Sequence, residues 1–134
     1  MNILCPKCWC EIPASLVMCP SCSTTVDLYS RKYEQCLISA LPSSNANRRA
    51  QICLVLALRG KRSSVSALLD LLHDPDILVR LAAVRSLGEI GDPSAIPGIE
   101  RLTTCDQEAL RSVAKRVLTV LVGQAATPRH RQVS

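Results

Sequence analysis

Asp74-Pro75-Asp76-Ile77-Leu78-Val79-Arg80-Leu81-Ala82-Ala83-Val84-Arg85-Ser86-Leu87-Gly88-Glu89-Ile90-Gly91-Asp92-Pro93-Ser94-Ala95-Ile96-Pro97 carries the punctuation of a helical hairpin. Asp76 is an N-cap residue type directly before an apolar run, where its side chain can accept from the orphan N–H groups of a first turn. Gly91 follows that run and can take the left-handed conformation that closes a helix. Ser94 is then placed to cap a second helix. Pro97 falls in the first turn of that helix, where its missing N–H forfeits no intrahelical bond.

The same pattern recurs on both sides. A shift of 31 residues aligns Arg49 with Arg80 and Arg111, Ile52 with Ala83 and Ala114, and Leu56 with Leu87 and Leu118. It also pairs Gly60 with Gly91, Ser63 with Ser94, Val65 with Ile96, Leu68 with Ile99 and Leu71 with Leu102, and gives Asn45 the capping role of Asp76. Tyr29, Tyr33, Cys36, Leu37, Ala40 and Leu41 share one helical face before Pro42. The register predicts helices over 28–41, 45–59, 63–73, 76–90, 94–104 and 107–122, the first being the second helix of an incomplete leading repeat. One hairpin leaves an apolar face bare, so neighbours must stack to cover it. The expected fold is all-α: a short solenoid of about three hairpins, wound as a right-handed superhelix.

The stretch 74–97 closely resembles HEAT repeats of the phycobilin-lyase type, and the likeness extends more weakly over residues 28–122. Such repeats occur in chromophore lyases, a di-iron hydroxylase, DNA-binding enzymes and plain scaffolds, so the resemblance implies the fold and leaves function open. The hydroxylases supply ligands from repeated His-Glu pairs, which this sequence lacks. Its histidines are His73, at a helix end, and His130, in the tail.

Ahead of the repeats stand Cys5-Pro6-Lys7-Cys8 and Cys19-Pro20-Ser21-Cys22, with ten residues between the pairs. Two Cys-x-x-Cys turns can converge four thiolates on one Zn²⁺ in a closed tetrahedral shell. Cys5, Cys8, Cys19 and Cys22 are therefore the expected metal ligands, holding one structural zinc ion that supplies the folding free energy so short a segment cannot obtain from a core. Thioredoxin-like redox chemistry would need a βαβ context that the following sequence does not provide. Together with Glu11-Ile12-Pro13, these pairs resemble the short bacterial zinc ribbons. Members of that family usually carry Gly after each pair, where this chain has Trp9 and Ser23, which predicts strained or looser knuckles. Cys10 is read as a bystander, and Cys36, Cys53 and Cys105 as small core residues. The organisation expected is a zinc ribbon over 1–26, HEAT-like repeats over 27–123 and a flexible tail over 124–134, with the ribbon capping the solenoid.

The 134 residues include no Phe, only one Trp and two Tyr, and eight Cys, with a net charge of +5. No apolar run approaches the length of a membrane span. Cysteines paired in this way and the absence of an export signal point to a reducing compartment, the cytoplasm. The basic residues cluster as Arg48 and Arg49, Arg59 with Lys61 and Arg62, and Arg129 with Arg131, without aromatic residues among them to stack on bases. Arg49, Arg80 and Arg111 read as architectural residues whose stems cross neighbouring repeats. The function expected is non-catalytic binding of a protein partner. The alternative is nucleic-acid binding through the ribbon and basic helix ends, and a bilin-lyase-like role in chromophore handling is the remaining reading.

Overall fold

The computed structural model describes residues 1–126. Two short antiparallel strands, β1 (Asn2–Leu4) and β2 (Glu11–Pro13), pair with Ile3 opposite Ile12. Six helices follow: α1 (Arg31–Ser39), α2 (Ala46–Arg59), α3 (Val65–Asp70), α4 (Ile77–Ile90), α5 (Ile96–Glu100) and α6 (Glu108–Ala126). They form a short all-α solenoid in which the hairpins α2/α3 and α4/α5 stand between the half-repeats α1 and α6.

The long helices α2, α4 and α6 stack on one another, and the repeated positions supply the contact. Ile52, Ala83 and Ala114 are fully buried, as are Leu56 and Leu87. Leu118, third in the leucine series, is only half-buried because α6 is the last described helix and has one stacking neighbour instead of two. Gly88 lies where α4 packs on α6; a Cβ there would come 2.9 Å from Val117 Cγ1.

Helix ends follow the punctuation on the first helix of each hairpin. Asn45 accepts from the Arg48 N–H at 3.3 Å and Asp76 from the Leu78 N–H at 2.8 Å. Gly60 and Gly91 are left-handed, with φ of 63° and 74°. The second helices differ from expectation. Each is an α-helical centre flanked by 3₁₀ turns: Arg62–Ser64 and Leu71–His73 around α3, Pro93–Ala95 and Arg101–Thr104 around α5. Ser63 and Ser94 are not their caps. Asp92 caps the Pro93–Ala95 turn by accepting from the Ser94 N–H at 3.0 Å. The hydroxyl of Ser63 instead donates to Glu34 at 2.7 Å.

Two expected boundaries also move. The first helix begins at Arg31 rather than at residue 28, because the Ser30 hydroxyl accepts from the Tyr33 N–H at 3.1 Å and starts the helix there. Tyr29 consequently precedes the helix and is exposed instead of sharing its apolar face. At the other end α6 continues to Ala126, three residues into the segment expected to be tail. The remainder of that segment, with Arg129, His130 and Arg131, lies outside the described residues.

Two cations counted among the basic groups, Arg49 and Arg59, are consumed internally. Arg59 is buried, donating to the carbonyls of Leu28 at 2.8 Å and Ser30 at 3.2 Å, with Glu34 Oε1 3.4 Å from its Nη1. Arg49 makes a two-pronged contact with Asp74, Nε to Oδ2 at 2.8 Å and Nη2 to Oδ1 at 3.0 Å, and donates from Nη1 to the Ser43 carbonyl at 2.7 Å. Arg111 donates to the Cys105 carbonyl at 2.9 Å. These two arginines are architectural, as their place in the repeat implies.

Candidate metal centre

Each Cys-x-x-Cys pair closes the same backbone turn. In the first, Trp9 N–H donates to the Cys5 carbonyl at 3.0 Å; in the second, Ser23 N–H donates to the Cys19 carbonyl at 2.8 Å. Closing the loop in this way puts the residue after each pair in left-handed backbone, with φ of 62° at Trp9 and 60° at Ser23. Both carry a Cβ, so the knuckles are strained rather than loosened, at about 1–2 kcal/mol each. Trp9 regains some of this through its ring, over which Arg48 stands 5.5 Å from the centroid.

The turns bring four sulfurs together. Cys5 Sγ is 3.5 Å from Cys22 Sγ and Cys8 Sγ is 3.6 Å from Cys19 Sγ, and all four lie within 4.8 Å of one another. A tetrahedral shell with metal–sulfur bonds of about 2.3 Å needs sulfur–sulfur separations of about 3.8 Å, so the cage has the right size for one ion. Backbone N–H groups converge on it: Lys7 and Cys8 on Cys5, Ser21 and Cys22 on Cys19, Cys10 on Cys8 and Thr24 on Cys22. Such donors favour thiolate over thiol, as metal binding requires.

The sulfurs divide electrostatically. Burial pushes the Cys5 thiol up to about 11 against the pull of its two N–H donors. At Cys8 the Cys10 N–H works downward, but contact with the Cys10 thiol, burial and Cys19 outweigh it and carry the thiol to about 11. Burial opposes ionisation of Cys19, yet the N–H groups of Cys22 and Ser21 and the thiols of Cys10 and Cys8 lower it to about 6. The side chain and N–H of Thr24 lower Cys22. Negative charges this close cannot all form unaided. A divalent cation would compensate them together, and four thiolates would leave it no open position for catalysis.

Cys10, set aside as a bystander in the sequence, has its sulfur 3.2 Å from Cys8 Sγ and 3.4 Å from Cys19 Sγ. The other cysteines are not part of the cage. Cys53 is wholly buried, and burial raises its thiol to about 12, which makes it an unreactive core residue. Cys105 is half-buried against the core, whereas Cys36, expected there, is half-buried and lines a surface pocket with Lys7 and Tyr33.

The cage rests on the helices. Ile3, Leu4 and Ile12 belong to the same buried cluster as Tyr33, Leu37, Ile52 and Val55. The Tyr33 hydroxyl donates to the Leu4 carbonyl at 2.6 Å, next to the first ligand, and burial raises that phenol to about 12. Gln51 donates to Glu11 across the same junction. Tyr33 was legible in the sequence only as an apolar-face residue. The clue to more was its hydroxyl, which in a core must find an acceptor.

A family model for HEAT repeats matches residues 35–119. No curated protein matches the chain.

Proposed function

This chain belongs to the HEAT-repeat family, and we propose that it is a non-catalytic scaffold that binds a protein partner and is completed at its N-terminal end by one structural zinc ion. Cys5, Cys8, Cys19 and Cys22 hold the ion. Thiolate donors in a tetrahedral cage suit zinc among the common divalent ions, and a filled shell serves folding rather than catalysis. Residues 1–26 form a zinc ribbon that caps the repeats of 27–123, whose likeness at 74–97 is to the phycobilin-lyase type. Its eight cysteines, none of the described ones in a disulfide, fit the reducing cytoplasm.

The observation that carries the scaffold reading is how the two classes of position are spent. Residues repeated with the period are committed to stacking, whereas the large apolar side chains Leu54 on α2, Leu78 on α4 and Val120 on α6 stay 53%, 59% and 51% exposed. Each long helix thus offers an apolar contact that the stack itself does not use. The nucleic-acid alternative loses support, since Arg49 and Arg59 are bonded internally. The test is affinity purification with the intact chain and with Leu54→Glu, Leu78→Glu and Val120→Glu variants, each run with and without nuclease. A nuclease-resistant partner protein lost in one or more variants supports the reading. Nuclease-sensitive recovery unaffected by all three substitutions overturns it.

A further inference from the structure

The two junctions between stacked hairpins share the repeated arginine but differ in what meets it. At the first, Arg49 is met by the carboxylate of Asp74, 25 residues further along. The period puts Arg80 in the place of Arg49 at the second junction, and there the residue 25 further along is Cys105. A thiol cannot accept the two-pronged bond of a guanidinium as a carboxylate does. The effect is visible: Arg80 Nε is buried and has no hydrogen-bond partner. Asp74 feels the charge of Arg80, but its hydrogen bonds go elsewhere: Oδ2 accepts from Arg49, and Oδ1 accepts from Arg49 and from the Asp76 N–H at 2.9 Å.

Where the carboxylate is missing there is a pocket. Arg80 and Cys105 line a cavity of about 420 Å³ together with His73, Asp106, Gln107 and Leu110. Its wall is held in place by Arg111, which donates to the Cys105 carbonyl, and by Cys105 Sγ against the Gln107 carbonyl at 3.5 Å. Beside the unbonded Nε of Arg80, His73 and Gln107 can donate further hydrogen bonds. Asp106 makes no ion pair with Arg80 and is the internal group that would compete for it.

We infer that the pocket at the second junction is a carboxylate-binding site, in which Arg80 receives from a ligand the group that Asp74 gives to Arg49. The ligand is a small carboxylic acid or an acidic side chain of a bound polypeptide, and the chemistry at Arg80 is the same for both. The site is independent of the metal and of the apolar scaffold surface, so it stands or falls apart from either.

The experiment is amide and Arg side-chain NMR on the full ¹⁵N-labelled chain, titrated with sodium succinate or with a blocked tripeptide bearing one Glu, against sodium chloride at equal ionic strength. Saturable shifts are expected at Arg80 Nε–H and at the amides of Cys105, Asp106 and Gln107. Stronger binding of succinate would identify a small acid, and stronger binding of the tripeptide a polypeptide. Arg80→Gln should weaken binding about tenfold or more, the worth of a charge-assisted bond. Cys105→Asp should do the same while raising the melting temperature, because it installs the missing internal partner. Cys105→Ser should leave binding intact, and Asp106→Asn should strengthen it. No saturable shift with either probe, or undiminished binding by a well-folded Cys105→Asp, would overturn the inference.

Discussion

Around the thiol cage, two strands of three residues each and a pair of strained turns are held by four side chains that converge on one point. From Arg31 onward, no single group has that weight; burial is spread over three stacked helices whose equivalent positions repeat the same contacts. Removing a cation bound at such a point would release all four side chains at once. Removing one leucine from a distributed stack takes away one share. The contrast teaches where this chain should be brittle and where it should be tolerant.

The largest effect should therefore come from metal removal. A structural zinc ion contributes on the order of 10–16 kcal/mol to folding of a small thiolate domain. A strong chelator should abolish the ordered knuckles, read as loss of amide dispersion over residues 3–26. Because Leu4 and Ile12 share a core with Tyr33 and Ile52, helical circular dichroism should decline in the same transition. Helicity that survives full metal removal would break the comparison in one respect, showing that the stack needs no cap. Metal analysis giving no zinc would remove the point-held half altogether.

An intermediate effect is expected inside the stack. Leu56→Ala and Leu87→Ala should each cost about 2–5 kcal/mol of unfolding free energy, since both side chains are fully buried. Leu118→Ala, at the same repeat position but half-buried, should cost clearly less. Equal losses at all three positions by chemical denaturation would mean that α6 is covered by more than the described stack.

The smallest effect concerns the polar pairs between repeats. For Asp74 and Glu34, burial works to raise the carboxyl values, but Arg49 for the first, and Ser64, Ser63 and Arg59 for the second, bring both below their ordinary values of 3.8 and 4.5. A carboxyl lowered in the folded state stabilises fully above its unfolded value and loses that contribution as pH falls through the folded one. Melting temperature should thus be insensitive to these groups near neutrality and fall below about pH 4. Asp74→Asn should lower it at pH 7 and flatten the acid limb. An acid limb unchanged in that variant would assign the decline to other carboxylates.

Much of this was legible beforehand because local rules act where the residues lie. Asn45, Asp76, Gly60 and Gly91 bound their helices as their types require, and Cys5, Cys8, Cys19 and Cys22 converge as their spacing demands. Misreadings arose where a side chain had a choice. Ser63 has a hydroxyl that could cap a helix, but a buried carboxylate on α1 competes for it, and Glu34 takes it. Ser30 caps α1 because Tyr33 N–H lies within reach, which shifted a boundary that the apolar pattern had put earlier. The contact of Cys10 with Cys8 and Cys19 is a different case, since spacing says nothing about how a chain turns after Cys8.

The sequence by itself determined the repeat, its period, the all-helical stack and the pair of cysteine knuckles, because periodicity, capping and ligand spacing are written over a few neighbouring residues. Only the tertiary structure decided that Arg49 has its carboxylate while Arg80 lacks one, that Arg59 is buried, and that the Tyr33 hydroxyl ties the cage to the helices. Those outcomes depend on partners 25 to 31 residues away in the chain. Which of them meet is fixed by how the hairpins stack, and that is settled by packing rather than by any local preference of the chain.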